Sequence, residues 1–206
     1  MTDRLFSCFV VVALGLFLMI SVGCITGTTA PARFYILSAL PSPAEQTQVF
    51  SEESCLGIGI GPVEIAQYLD RPQIVTRVSP NELKLGDFDK WAEPLKDNVT
   101  RVLVENVSTL LCTNSIVVFP WRSATMVDYR VEVEVLLLDG ELGGNVSLVA
   151  RWAIFDEERR NMLLNRKSRI NEPTDGQSYK AFVSAQSRAL GTLSEEIAEG
   201  IKTVAQ

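Results

Sequence analysis

"VDYRVEVEVLLLDGELGGNVSLVARWAIFD", residues 127–156, decides the fold. Val127, Tyr129, Val131, Val133, Val135 and Leu137 alternate with Asp128, Arg130, Glu132 and Glu134. A period of two sends alternate side chains to opposite faces of a strand, and one dry face against one wet face suits antiparallel pairing. "GELGGN" (140–145) interrupts the run with glycines and an asparagine, and "VSLVARWAIFD" alternates back, so the stretch reads as a long hairpin. Asp128, Glu132 and Glu134 share one face and could in principle hold a hard cation. They are read instead as a solvated row with Arg151 of the returning strand as a partner.

Outward from the hairpin, "MLLNRKSRI" (162–170) adds a strand beyond the charged tip "DEERRN". Upstream, "RFYILSA" (33–39), "LGIGIGPVEI" (56–65), "QIVTRV" (73–78), "ELKL" (82–85) and "SIVVFP" (115–120) read as further strands, with "DRP" as a turn. Between them, Trp91, Leu95, Val99, Val102, Leu103, Val107, Leu110 and Leu111 step by three and four. That spacing predicts an amphipathic helix over 91–112, about six turns, with Pro94 in its first turn. Residues 177–204 predict a second helix with Tyr179, Val183, Leu190, Leu193, Ile197 and Val204 on one face and Gly191 and Gly200 as weak points. There is no repeat and no dividing linker. The body is therefore one α/β domain, a mixed, mainly antiparallel sheet with two long amphipathic helices packed on one face.

An uncharged run begins at Leu5 and meets no formal charge before Arg33. Its apolar part, residues 5–22, lies between the length of a signal and that of a membrane span. The end is more informative: Ser21, Val22, Gly23 and Cys24 resemble the bacterial lipobox, although Ser21 stands where Leu is usual. "ITGTTAPA" follows as a small, polar tether. The reading is a signal peptide over 1–23, a lipidated Cys24 with a tether to residue 32, and a body over 33–206. An uncleaved anchor is the alternative, and it leaves the body on the same side of a membrane. Export puts Cys55 and Cys112 in an oxidising compartment, where they are candidates for a disulfide.

Composition narrows the function. Histidine is absent, which removes the commonest general base and metal ligand, and Cys55 and Cys112 lack the imidazole that would activate a thiol. No catalytic residue, metal or cofactor is assigned. The formal charge is −6 with scattered Lys and Arg, so no nucleic-acid partner is expected. "GIGIGP" lacks the third glycine and the following helix of a dinucleotide-binding turn. The Asn-x-Ser/Thr triplets at Asn98, Asn106 and Asn145 are read as chance occurrences. Tyr68, Leu69, Arg71 and Pro72 sit together in a turn, the mixture from which interface anchors are made; a buried connector with a salt bridge is the other reading.

"VEIAQYLDRPQIVTR" (63–77), "FDKWAEPLKDNVTRVLVENVSTLL" (88–111) and "YKAFVSAQSRALGTLSEEIAEGI" (179–201) together resemble the ABC-type transport auxiliary lipoprotein family, in the same order and spacing from about Phe34 to Ile201. Ala66 stands where that family often has Pro. The resemblance implies a non-enzymatic outer-membrane lipoprotein facing the periplasm. Its partners would be a mammalian-cell-entry (MCE) domain protein and the ABC transporter that moves phospholipid or other apolar molecules. Ile25, rather than the Asp of retained lipoproteins, points the same way. Within that reading Tyr68, Asp70, Arg71, Pro72 and Trp91 are the candidate interface residues, and homo-oligomerisation is left open. A periplasmic lipid carrier and an outer-membrane assembly chaperone are the rival readings.

Overall fold

The structure is a computed structural model that describes residues 30–41, 55–111, 113–120, 127–156, 158 and 160–206. The expected signal, Cys24, most of the tether and Cys112 lie outside the described residues. In chain order the elements are β1 (Arg33–Tyr35), β2 (Leu56–Ile65), β3 (Gln73–Ser79), β4 (Glu82–Trp91), α1 (Leu95–Leu110), β5 (Thr113–Val118), β6 (Tyr129–Gly140), β7 (Asn145–Asp156), β8 (Asn161–Pro173) and α2 (Tyr179–Val204).

The opening hairpin forms as expected. β6 and β7 pair antiparallel along their length, with Glu134 opposite Arg151, and β8 continues the meander. β2 lies between β5 and β6, parallel to both, giving the order β5-β2-β6-β7-β8. The remaining strands form a separate sheet ordered β1-β4-β3, so the α/β fold class holds with two sheets rather than one. α1 lies over β2 and β5, α2 over β6, β7 and β8, and the helices touch each other. α2 meets the dry face of the hairpin, and one core forms from both helices and the large sheet: Val99, Val102 and Val107 of α1, Leu190 and Leu193 of α2, and Val131, Leu148 and Ile154 are all fully buried.

Two expectations shift. The first helix starts at Leu95, not Trp91, because Trp91 is still extended, paired with Tyr35 of β1 and donating its N–H to the Pro72 carbonyl at 2.7 Å. Pro94, at φ −52° and ψ 131°, then caps the helix, and the steric demand of a proline on its predecessor keeps Glu93 out of the helix. The first strand is three residues long instead of seven. Beyond it the chain leaves the sheet and is held by α1, where the Asn98 side-chain oxygen accepts from Leu37 N–H and that of Asn106 from Leu40 N–H. Both asparagines are fully buried, which gives the two triplets on α1 a structural role.

Gly200 is a packing requirement rather than a weak point. A Cβ there would stand 2.9 Å from the Trp152 ring and 3.0 Å from Leu164, so only glycine lets α2 lie this close to the sheet. Trp152 is buried, and its Nε1 donates to Ser168 Oγ at 2.8 Å; Ser168 in turn bonds Glu196, linking β7, β8 and α2.

Candidate partner-docking site

The turn between β2 and β3 is fixed from within. Leu69 N–H donates to the Ala66 carbonyl and Arg71 N–H to the Leu69 carbonyl, while the Leu69 side chain is buried as an anchor. With that anchor inward, Asp70, Arg71 and Pro72 face the segment that joins β4 to α1. The two loops line a cavity of about 360 Å³, with Asp70, Arg71 and Pro72 on one side and Trp91, Ala92, Glu93 and Pro94 on the other. Trp91 is 5% exposed and contributes a buried aromatic wall, whereas Asp70, Pro72, Ala92 and Pro94 are exposed.

The charges in this cavity are unevenly satisfied. Glu93 pairs with Arg101 at 3.3 Å, and Arg101 also donates to the Leu37 carbonyl and to Asn98. The Arg71 Nε, by contrast, is buried without a hydrogen-bond partner among the described residues. A buried unpaired donor costs about 1–3 kcal/mol. A cavity lined by both an aromatic ring and a guanidinium is suited to a partner side chain that brings both apolar surface and an acceptor.

Four of the five residues singled out from sequence, Asp70, Arg71, Pro72 and Trp91, thus meet in one cavity. Tyr68 does not. Its hydroxyl donates to Asp139 Oδ2 at 2.6 Å, and burial, then that bond, hold the phenol well above its ordinary pKa. Arg77 grips the same carboxylate with Nε and Nη2, each at 2.7 Å. Sequence reading missed Asp139, which looks like an ordinary residue ahead of a glycine turn; the usable signal was an acid directly after three leucines.

The acidic row on the hairpin is fully engaged. Glu134 pairs with Arg151 at 2.8 Å, Glu132 with Arg130 at 3.3 Å, and Asp128 Oδ2 accepts from Gly57 N–H at 2.6 Å. A second concavity, about 400 Å³, lies between α1 and the β2–β5 edge, lined by Val63, Val104, Val118 and Phe119 among others. Cys55, just before β2, is disulfide-bonded.

The class defined by these features is a mixed α/β body in which two helices cover a five-stranded sheet and a three-stranded sheet adjoins it, with a surface cavity built by two loops. The architecture recurs in the crystal structure of a Xanthomonas campestris protein of the DUF330 family, at a TM-score of 0.68 and 16% identity over 84% of this chain and 96% of that one. It recurs also in the crystal structure of an uncharacterized protein, at a TM-score of 0.66 and 18% identity over 83% of this chain and 99% of that one. No curated protein matches the sequence. The chain belongs to the ABC-type transport auxiliary lipoprotein component family, whose model matches residues 35–198. Membership makes it an auxiliary lipoprotein component of an ABC-type transport system.

Proposed function

We propose that this chain is a non-enzymatic lipoprotein, held in the outer membrane through an acylated Cys24 and facing the periplasm, that docks an MCE-domain protein of an ABC transport system. In that role it contributes to phospholipid trafficking and envelope integrity. The observation that carries the docking reading is the cavity lined by Asp70, Arg71, Pro72 and Trp91, with the Arg71 Nε buried and without a partner among the described residues. In Arg71→Ala, capture of the MCE-domain protein from solubilised envelopes should fall at least tenfold, with circular dichroism unchanged. Full capture by a folded Arg71→Ala variant would remove this cavity from the interface.

The disulfide of Cys55 goes, in the same proposal, to Cys112. In support, Leu56 and Thr113, the residues that follow these cysteines, are partners in the parallel β2–β5 register. Such a bridge closes a loop long enough to contribute about 4 kcal/mol in the chain-entropy model. Non-reduced peptide mapping should recover the two cysteines in one linked fragment, and recovery of Cys112 as a free thiol would defeat the assignment.

A further inference from the structure

The three-stranded sheet has two unlike faces. Arg33, Tyr35, Asp89 and Trp91 share one of them by the β1–β4 register, and it is turned to the body: Asp89 is 4% exposed and the Tyr35 ring lies 6.3 Å from that of Tyr179. The opposite face is defined by β3, where Gln73, Val75 and Arg77 alternate onto one side. Gln73 pairs with Lys90, which pairs with Phe34; Val75 pairs with Leu85, and Arg77 with Leu83. Phe34, Leu85 and Leu83 therefore lie on the same face.

Over β3 this face is covered, since Val75 is buried and Arg77 reaches the buried Asp139. Over β4 and β1 it is open. Phe34 is 66% exposed and Leu83 and Leu85 37% each, with Phe88 and Ile36 exposed nearby in the chain. Single apolar residues on a surface require no explanation, but three aligned on one sheet face, on and beside the first strand of the body, form a surface that should be covered by something.

The chain upstream says what is available to cover it. From Cys24 to Arg33 a fully extended backbone reaches about 30 Å at most. If Cys24 carries acyl chains, as the function proposed above requires, β1 stays within about 30 Å of the headgroups, closer than any later element is obliged to be. A Phe with two Leu is the composition that enters the headgroup and acyl boundary, and Lys90, in the row of Phe34, can extend its ammonium to lipid phosphates. We infer that the open face of β1 and β4 lies on the lipid surface to which the chain is tethered, so that Phe34, Leu83 and Leu85 orient the body on the membrane. This rests on the lipidation of Cys24.

The test uses the full-length acylated protein in phosphatidylethanolamine–phosphatidylglycerol vesicles, at a density of one copy per vesicle. A Phe34→Trp reporter should be quenched by lipids brominated in the upper acyl chain at least twofold more than the wild-type tryptophans. Adding Leu83→Glu and Leu85→Glu should return quenching to the wild-type level while the protein still sediments with vesicles through its anchor. A vesicle-bound Phe34→Trp protein showing no added quenching overturns the inference and leaves the anchor intact. A reporter that stays unquenched while the protein runs as a dimer or larger species in detergent overturns it in favour of a second copy as the covering surface. A chain that takes no fatty acid and does not sediment overturns the anchor first, and this orientation with it.

Discussion

Two carboxylates in this protein are held in nearly the same way and do different things. Asp89 receives Arg33 through Nε at 2.9 Å and Nη2 at 2.8 Å, and the Tyr35 hydroxyl at 2.8 Å. Asp139 receives Arg77 through the same two nitrogens and the Tyr68 hydroxyl. The difference is the surroundings of the arginine: the Arg33 side chain is 65% exposed, that of Arg77 27%. Arg33 latches the first strand to β4 with most of its own side chain in water, so that although Asp89 is buried the pair is screened from one side and contributes less to global stability. Arg77 joins β3 to the end of β6, so the second clamp fastens the small sheet to the large one. The same three side-chain types therefore make an edge latch in one place and an internal seam in the other.

The largest effect should come from breaking the seam. Arg77→Ala leaves Asp139 buried with only a tyrosine partner, and removal of one member of a buried pair costs about 3–5 kcal/mol. Urea unfolding should show that loss, and a change below about 1 kcal/mol would mean that the two clamps are equivalent after all.

Tyr68→Phe sharpens the comparison through pH. Loss of a hydrogen bond to a charged group should cost about 2 kcal/mol at neutral pH. The Tyr68 phenol is held above its ordinary value by burial and by Asp139, so the folded state keeps a proton that the unfolded chain releases near pH 10. Stability that is present below about pH 10 is lost as pH rises beyond it. Wild type should therefore lose more stability than Tyr68→Phe between pH 9 and 11, and parallel curves for the two proteins would remove Tyr68 from that alkaline loss.

The smallest global effect belongs to the latch. Arg33→Ala should lower the unfolding midpoint less than Arg77→Ala does, since solvent reaches the site that Arg33 vacates beside Asp89, while amide exchange at Ala92, whose N–H donates to the Tyr35 carbonyl, accelerates about tenfold. A fall in global stability matching that of Arg77→Ala would erase the distinction between latch and seam.

The hairpin was readable down to Arg151 as a partner of its acidic row, because alternation is a local signal; that Arg151 meets Glu134 was set by the register. The helix start was not. Trp91 fits the three-and-four spacing, yet a backbone bond to Pro72, from another loop, keeps it in the strand. Segment 36–41 was read largely as strand because its residues favour one; the amides of Asn98 and Asn106, 61 and 66 positions from the N–H groups they accept from, pull it onto the helix instead. The candidate site was half legible. Asp70, Arg71 and Pro72 are sequence neighbours, but Trp91 joins them only because β3 and β4 run antiparallel and return the chain beside the turn. Tyr68 leaves them because its hydroxyl has a buried acceptor in Asp139.

By itself, the sequence determined the elements, their dry faces and the absence of imidazole chemistry, since periodicity and composition act over a few residues. Only the tertiary structure decided that the strands divide into two sheets, that Asp89 and Asp139 become a latch and a seam, and that Arg71 and Trp91 come to line one cavity. Those outcomes depend on which distant groups compete for each donor and acceptor, and that competition exists only once the chain has closed on itself.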